Sequence, residues 1–147
     1  MRLPVLLLNL LLCTCVSAQM TVKLPAELAD NPVDGRLLLM FSAATEGEPR
    51  FQITDGPATG QVYGVDVENW KPGTIITIGN DATDYALATP ADLPSGTYQV
   101  QALLHKYETF NRSDGHTVKL PMDRGEGQQW NRAPGNLLST PSSITIT

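Results

Sequence analysis

Residues 93–102 read Leu-Pro-Ser-Gly-Thr-Tyr-Gln-Val-Gln-Ala, a turn sequence that is followed directly by alternating polar and apolar positions. Because successive side chains of a strand point to opposite faces of a sheet, this alternation predicts a half-buried strand that begins after the glycine. One row of side chains would face inward: Tyr98, Val100, Ala102 and Leu104. The other row would face the opposite way: Gln99, Gln101 and Leu103.

Stretches of similar character recur along the chain and are separated by glycine and proline turns. They lie at residues 20–24, 37–41, 50–54, 61–67, 74–78, 97–107 and 143–147. The continuously apolar residues 37–41 indicate a central strand that is covered on both faces. Seven or eight short strands predict an all-β, immunoglobulin-like sandwich, in which Tyr98 would be structural and form the tyrosine corner. An ordinary buried strand tyrosine is the alternative for Tyr98.

The composition is that of a globular protein with one domain. The chain has 147 residues, of which 41% are hydrophobic and 17% are charged. Its 12 glycines and 11 prolines disfavour long helices. The net charge is 10 − 15 = −5. An acidic chain lacks the electrostatic signature of a protein that binds nucleic acid or an anionic membrane surface.

Residues 1–18 match a secretory signal peptide, with Arg2, an apolar stretch and the small-residue end Val16-Ser17-Ala18. The apolar stretch is shorter than the roughly 20 residues of a membrane-spanning helix, which disfavours an anchor. A lipid anchor is disfavoured because Thr14 precedes Cys15. We predict cleavage after Ala18 and a secreted or periplasmic protein.

The predicted mature domain comprises residues 19–147 and has a net charge of 9 − 15 = −6. Both cysteines lie in the predicted signal peptide, so the mature domain would have neither a disulfide nor a catalytic thiol. Its stability would then rest on its hydrophobic core.

A long polar segment, residues 105–141, contains both histidines and several isolated aromatic residues. Burying unpaired charges in a sandwich core would be costly, so the polar side chains of this segment should lie at the surface or in paired networks. Arginine and tryptophan also dominate the energetics of interfaces. We predict an interaction surface formed by Arg112, His116, Arg124, Gln128, Trp130 and Arg132.

Six stretches carry a resemblance to a known family. They are residues 35–39, 48–53, 64–73, 98–104, 107–110 and 123–131. On the basis of these stretches, the whole predicted mature region resembles the N-terminal β-domain of secreted bacterial proteins assigned as esterases of the α/β-hydrolase class. In that family, a hydrolase domain with a serine nucleophile follows the β-domain.

The resemblance implies an accessory domain and transfers no catalytic residue. The chain stops at Thr147, where the hydrolase domain would begin, and contains no Gly-x-Ser-x-Gly nucleophile elbow. We therefore expect a non-catalytic domain that packs on or positions a hydrolase domain in cis or in trans. The chain would be either a truncated gene product or a stand-alone module.

Two other function classes compete with this hypothesis. A stand-alone carbohydrate-binding module could stack sugars on Trp70 and Trp130, although Trp70 could equally fill the sandwich core while Trp130 packs a loop against the sheet. An independent glycosidase would need two converging carboxylates among Glu108, Asp114, Asp123 and Glu126, and it ranks last.

No metal or other cofactor is predicted. His105, Glu108, Asp114, His116 and Asp123 are metal-ligating types, but their spacing matches no compact ligand motif. Asp114-Gly115 is instead typical of a turn.

Overall fold

The computed structural model describes residues 19–87 and 89–147 and is all-β. The predicted signal peptide lies outside the described residues. Three short 3-10 helices accompany the strands, at Ala26–Leu28, Pro49–Phe51 and Pro90–Asp92. The strands are β1 Met20–Lys23, β2 Val33–Ser42, β3 Gln61–Trp70, β4 Ile75–Ile78, β5 Thr83–Tyr85, β6 Gly96–Lys106, β7 Glu108–Asn111, β8 Thr117–Leu120, β9 Leu137–Leu138 and β10 Ser142–Ile146. None of the helices in the described ranges has the length and apolar character needed to cross a membrane.

The main sheet is antiparallel, with strand order β10-β6-β2-β3-β5, and β9 pairs with the second half of β6. β2 lies at its centre, between β3 and β6. Met40 and Phe41, adjacent residues that point to opposite faces, are 0% and 1% exposed. Residues 37–41 therefore form the predicted central strand, but one of its faces is only partly covered, since Leu38 is half-buried and lines a groove.

The face of the main sheet that carries Leu37, Leu39 and Phe41, called the first face below, contributes to the hydrophobic core. The two-stranded β1–β4 sheet packs across this face, which is consistent with a β-sandwich. The predicted inward row belongs to the core cluster: Tyr98, Val100, Ala102 and Leu104. Phe41 lies between two tyrosines in edge-to-face contacts, with ring centroids 6.0 Å from Tyr63 and 6.4 Å from Tyr98.

The second face of the main sheet carries Met40, Gln101 and Leu103, which are all buried. Helix Pro49–Phe51 covers part of this face, so the prediction of a strand at residues 50–54 is wrong. Two features favour the helical turn. Pro49 at its first turn has the φ that a helix requires, and the backbone N–H of Arg50 donates to the Gln101 side chain instead of to a neighbouring strand.

Four short strands lie where the sequence predicted turns or polar loops. β5 lies in the turn-rich residues 79–94 and adds an edge to β3. β9 and the β7–β8 hairpin lie in the polar segment. Asp114-Gly115 forms the hairpin turn as predicted, and Gly115 adopts a φ of +86° that favours glycine. β5 and β9, with three and two residues, are shorter than the runs of about four to eight residues that identify a strand in sequence, and the two four-residue strands of the hairpin lie in a polar segment.

The hydroxyl of Tyr98 donates to the carbonyl oxygen of Pro94 at 2.9 Å, four residues upstream. This is the hydrogen bond of the predicted tyrosine corner, whereas the immunoglobulin-like assignment as a whole stays a prediction.

We expect Tyr98→Phe to lower the free energy of unfolding by about 1 kcal/mol, because it removes the hydroxyl and keeps the ring against Phe41. Urea unfolding followed by circular dichroism measures the change. An unchanged midpoint would contradict a stabilising role for this hydroxyl.

Candidate interaction surface

The part of the second face that helix Pro49–Phe51 leaves uncovered forms a groove of about 350 Å³. Strands β2, β3 and β6 contribute alternate side chains to its floor because of the two-residue period of a strand. Glycine at position 64 leaves room for the Leu38 side chain in the floor, because a Cβ there would lie only 2.9 Å from Leu38 Cδ2. The groove is lined by Arg36, Leu38, Ile53, Val62, His105 and Trp130.

Trp130 is half-buried in one wall of this groove, and Asn136 holds it in place. The Asn136 amide donates through Nδ2 to the carbonyl oxygen of Trp130 at 2.7 Å. Its Oδ1 lies 2.9 Å from Nδ1 of His105, so this ring nitrogen carries the donated proton. One side chain therefore positions both a wall and a floor residue of the groove.

An arginine–phenylalanine cluster, formed by Arg50, Phe51 and Arg132, adjoins this groove. Its members are close in sequence to Ile53 and Trp130, which line the groove. The guanidinium carbons of Arg50 and Arg132 lie 4.5 and 4.9 Å from the centroid of the Phe51 ring. Arg50 also donates to the carboxylate of Glu48 at 2.8 Å. Among the described residues, Arg132 has no carboxylate within 4.0 Å, which leaves an exposed cation without an ion-pair partner.

Reciprocal hydrogen bonds clamp the polar segment onto helix Pro49–Phe51. Arg50 Nη1 donates to the carbonyl oxygen of Asn131 at 3.1 Å, and Asn131 Nδ2 donates to the carbonyl oxygen of Arg50 at 3.2 Å. The residues on either side of Asn131, which are Trp130 and Arg132, are thereby held at the sheet. The candidate surface is thus preorganised by two hydrogen bonds from side chains to backbone carbonyl groups.

Gln101 supports this arrangement from below and is 1% exposed. Its Nε2 donates to Glu48 Oε2 at 2.8 Å and to the carbonyl oxygen of Ser139 at 3.1 Å. Its Oε1 accepts the backbone N–H of Arg50 at 3.2 Å. The hydrogen bond from Gln101, followed by that from Arg50, lowers the pKa of the Glu48 carboxyl below its usual value. The sequence placed Gln101 on the correct face, but its pattern held no sign of these partners.

The six predicted surface residues do not form one continuous group of contacts. Trp130 lines the groove, and Arg132 belongs to the arginine–phenylalanine cluster. Arg124 forms an ion pair with Glu108 at the base of the hairpin. Gln128 is exposed in the loop before Trp130 and has a φ of +60°.

The other two predicted residues lie at the tip of the β7–β8 hairpin. Arg112 Nη2 lies 2.9 Å from Asp114 Oδ2, and His116 Nδ1 lies 3.2 Å from Asp114 Oδ1. The side chain of His116 is 78% exposed. Asp114 thus organises a local polar cluster whose contacts stay within the hairpin.

The two tryptophans lie on opposite faces of the main sheet. Trp70 is 4% exposed and belongs to the first-face core, whereas Trp130 lines the second-face groove. The prediction of a sugar-stacking platform that uses both rings is therefore wrong. The competing prediction, in which Trp70 fills the core and Trp130 packs a loop against the sheet, is confirmed.

A charged cleft lies between β3 and the β7–β8 hairpin, where Lys119 Nζ is 3.2 Å from Asp34 Oδ2 and 3.7 Å from Glu68 Oε2. The backbone N–H of Asn69 is the main reason that the pKa of Asp34 is lowered, and Lys119 adds to this effect. Within the described ranges, no group of three or more His, Cys, Asp or Glu side chains is arranged to hold a metal ion.

Comparison with known proteins found no matching family model, no matching curated protein and no matching solved structure. The resemblance to the N-terminal domains of esterases therefore stays a hypothesis.

Proposed function

We propose that residues 19–147 form an exported, non-catalytic accessory domain that docks an α/β-hydrolase domain through the second-face groove and the adjoining arginine–phenylalanine cluster. The observation that carries the proposal is Arg132, which lacks a carboxylate partner within the described part of the chain, beside the half-buried Trp130. The two hydrogen bonds between Arg50 and Asn131 hold both residues at the sheet. The resemblance in sequence supplies the identity of the partner.

Charge supports a protein partner with an acidic contact surface. The chain as a whole is acidic, yet Arg132 has no carboxylate partner among the described residues, whereas Arg36 at the groove is already paired with Asp66 at 2.8 Å. A carboxylate of the partner would complete the ion pair that Arg132 lacks. Such complementarity favours association with one orientation of the two domains.

Shape and residue type support the same surface. Hot spots of protein interfaces are enriched in tryptophan and arginine, and they sit in pockets from which water is excluded. Here Trp130 borders an apolar floor formed by Leu38 and Val62, while Phe51 is 38% exposed beside it. A partner side chain inserted into the groove would bury this apolar surface.

We expect Trp130→Ala combined with Arg132→Ala to weaken binding of a hydrolase domain by about 2 kcal/mol, which is about 30-fold in Kd. Titration calorimetry measures the affinity, using the hydrolase domain of a full-length relative that carries the same β-domain. The matched control is Arg112→Ala combined with His116→Ala at the hairpin tip, which should change Kd less than twofold.

Equal affinities for the wild-type chain and the Trp130/Arg132 double variant would exclude this surface as the docking site. A glycan array, run in parallel, tests the competing carbohydrate-binding hypothesis. Binding of a glycan that disappears with Trp130→Ala would replace the hydrolase proposal, because the same groove would then take a saccharide.

The proposal that the domain is non-catalytic rests on its sequence. The chain has no Gly-x-Ser-x-Gly stretch, and its predicted mature form has no cysteine. Export is proposed from the signal-like character of residues 1–18.

A further inference from the structure

The main sheet has two edges, which differ in how they are protected against pairing with another chain. One edge is β5, which has only three residues and carries the charged side chain of Asp84. The other edge is β10, which has five residues and pairs, among the described strands, with β6 alone. It belongs to residues 133–147, the longest stretch of residues 19–147 without a charged side chain. Shortness and charge are common devices against edge-to-edge pairing, and β10 uses neither of them.

Contacts next to β10 show which backbone groups of β6 point towards this edge. The backbone N–H of Ala102 donates to Ser139 Oγ, and its carbonyl oxygen accepts the backbone N–H of Ser139, both at 2.9 Å. The backbone groups of a strand alternate in direction from residue to residue. Tyr98, four residues earlier, therefore also directs its N–H and C=O to this side, where its partner is Ile144.

The N–H and C=O groups of Ser143 and Thr145 point away from the sheet, because they alternate with those of Ile144. The Oγ1 atoms of Thr97 and Thr145 approach to 3.3 Å, which agrees with a pair of residues that exchange no backbone hydrogen bonds. In the described part of the chain, no backbone segment is hydrogen-bonded to these four outward groups.

We propose that β10 is an interface between two copies of this chain, which pair antiparallel along this edge about a twofold axis at Ile144. Each Ser143 then faces Thr145 of the second copy, and the two pairs exchange four N–H···O hydrogen bonds. These hydrogen bonds use all the outward groups of both strands. Serine opposite threonine is also a favourable cross-strand pair.

Charge favours a second copy as the occupant of this edge. Two chains with a net charge of −5 repel each other, and contact is least opposed where neither of them carries a charge. The β10 edge meets this condition, and its outward groups complement themselves under a twofold axis. β10 does not line the groove of the proposed docking surface, so the dimer does not depend on a hydrolase partner.

Ser143→Pro and Ser143→Ala are the matched variants that test the interface. Proline lacks the N–H that would bind the second copy, yet it removes no hydrogen bond within the sheet because this N–H points outward. Sedimentation velocity between about 1 μM and about 1 mM chain should show a monomer–dimer equilibrium. Ser143→Pro should raise the dimer Kd at least about 10-fold, since two of the four hydrogen bonds are lost, whereas Ser143→Ala should change it less than about twofold.

Disulfide cross-linking tests the register without a proline. In a chain that carries Cys13→Ser and Cys15→Ser, the variant Ile144→Cys places two thiols opposite each other, with Cα atoms about 4.5 Å apart. A disulfide spans this distance. The control is Ser143→Cys, because the two copies of residue 143 would lie diagonally, more than about 7 Å apart, which is too far for a disulfide. Oxidation should cross-link Ile144→Cys several times faster than Ser143→Cys.

A chain that stays monomeric at about 1 mM would overturn the dimer. A dimer whose Kd is the same in wild type and folded Ser143→Pro, or whose two cysteine variants cross-link equally fast, would overturn β10 as its interface.

Discussion

Phe41→Ala is expected to lower the free energy of unfolding by about 4 kcal/mol, the largest effect of any substitution considered for this chain. Phe41 is 1% exposed at the centre of the main sheet. Its ring packs edge to face against both Tyr63 and Tyr98. Alanine would leave a cavity between these two rings, which the surrounding strands cannot close without losing their pairing. Urea unfolding followed by circular dichroism measures the loss.

Phe51→Ala is the matched control, because it deletes the same ring from a surface position. Phe51 is 38% exposed and contacts two guanidinium groups. Its removal should cost about 1 kcal/mol, since the site is open to solvent, so that no enclosed cavity is left, and the cation–π contacts are exposed. Equal losses for the two variants would show that the first-face core does not depend on Phe41.

Gln101→Leu is expected to lower the free energy of unfolding by about 3 kcal/mol at neutral pH. Leucine has a similar volume but satisfies none of the three groups that Gln101 binds. The backbone N–H of Arg50 and the carbonyl oxygen of Ser139 would lose a buried partner, and Glu48 would lose a donor. Unsatisfied buried groups cost about 1–3 kcal/mol each.

The same variant should change how stability depends on pH. The folded-state pKa of Glu48 is lowered from 4.5, mainly by Gln101. The stability linked to this carboxylate is present above its unfolded pKa and is lost as the pH falls through the lower folded pKa. The difference in stability between wild type and Gln101→Leu should therefore narrow from pH 7 to about pH 3.

Urea titrations at the two pH values measure this change. Gln99→Leu is the matched control, because Gln99 lies two residues earlier on the same strand and face and is only half-buried. A gap that stays constant with pH would show that Gln101 stabilises the fold without acting on the ionised form of Glu48.

Much of the main sheet could be predicted from alternation and from turn residues. Residues 97–107 and 143–147 predicted the paired strands β6 and β10, and the continuous apolar run predicted the central strand β2. The same reasoning failed at residues 50–54, where apolar residues alternate in a segment that is not a strand. There, helix Pro49–Phe51 packs against the second face from outside the sheet, and Ile53 lines the groove on that face.

The candidate surface was only partly predictable. Trp130 and Arg132 could be proposed from residue type and from their place in a polar segment. Arg50 and Phe51 were missed because the alternating pattern of residues 50–54 predicted a strand, and a strand assignment does not indicate that these two side chains form part of a surface. No sequence signal could have shown that Arg50 and Phe51 lie beside Trp130 and Arg132. The two segments are held together by the hydrogen bonds between Arg50 and Asn131, which are 81 residues apart along the chain.

The sequence by itself determined the all-β class, the central strand and the inward row that begins with Tyr98. These features depend on residues that are neighbours along the chain, because the two-residue period of a strand is local. Only the tertiary structure decided that the second face is partly covered and that Trp70 and Trp130 lie on opposite faces. It also decided that the buried side-chain amide of Gln101 has hydrogen-bond partners. The partners of Gln101 are 53 and 38 residues away along the chain, so their contacts form only when distant segments pack together.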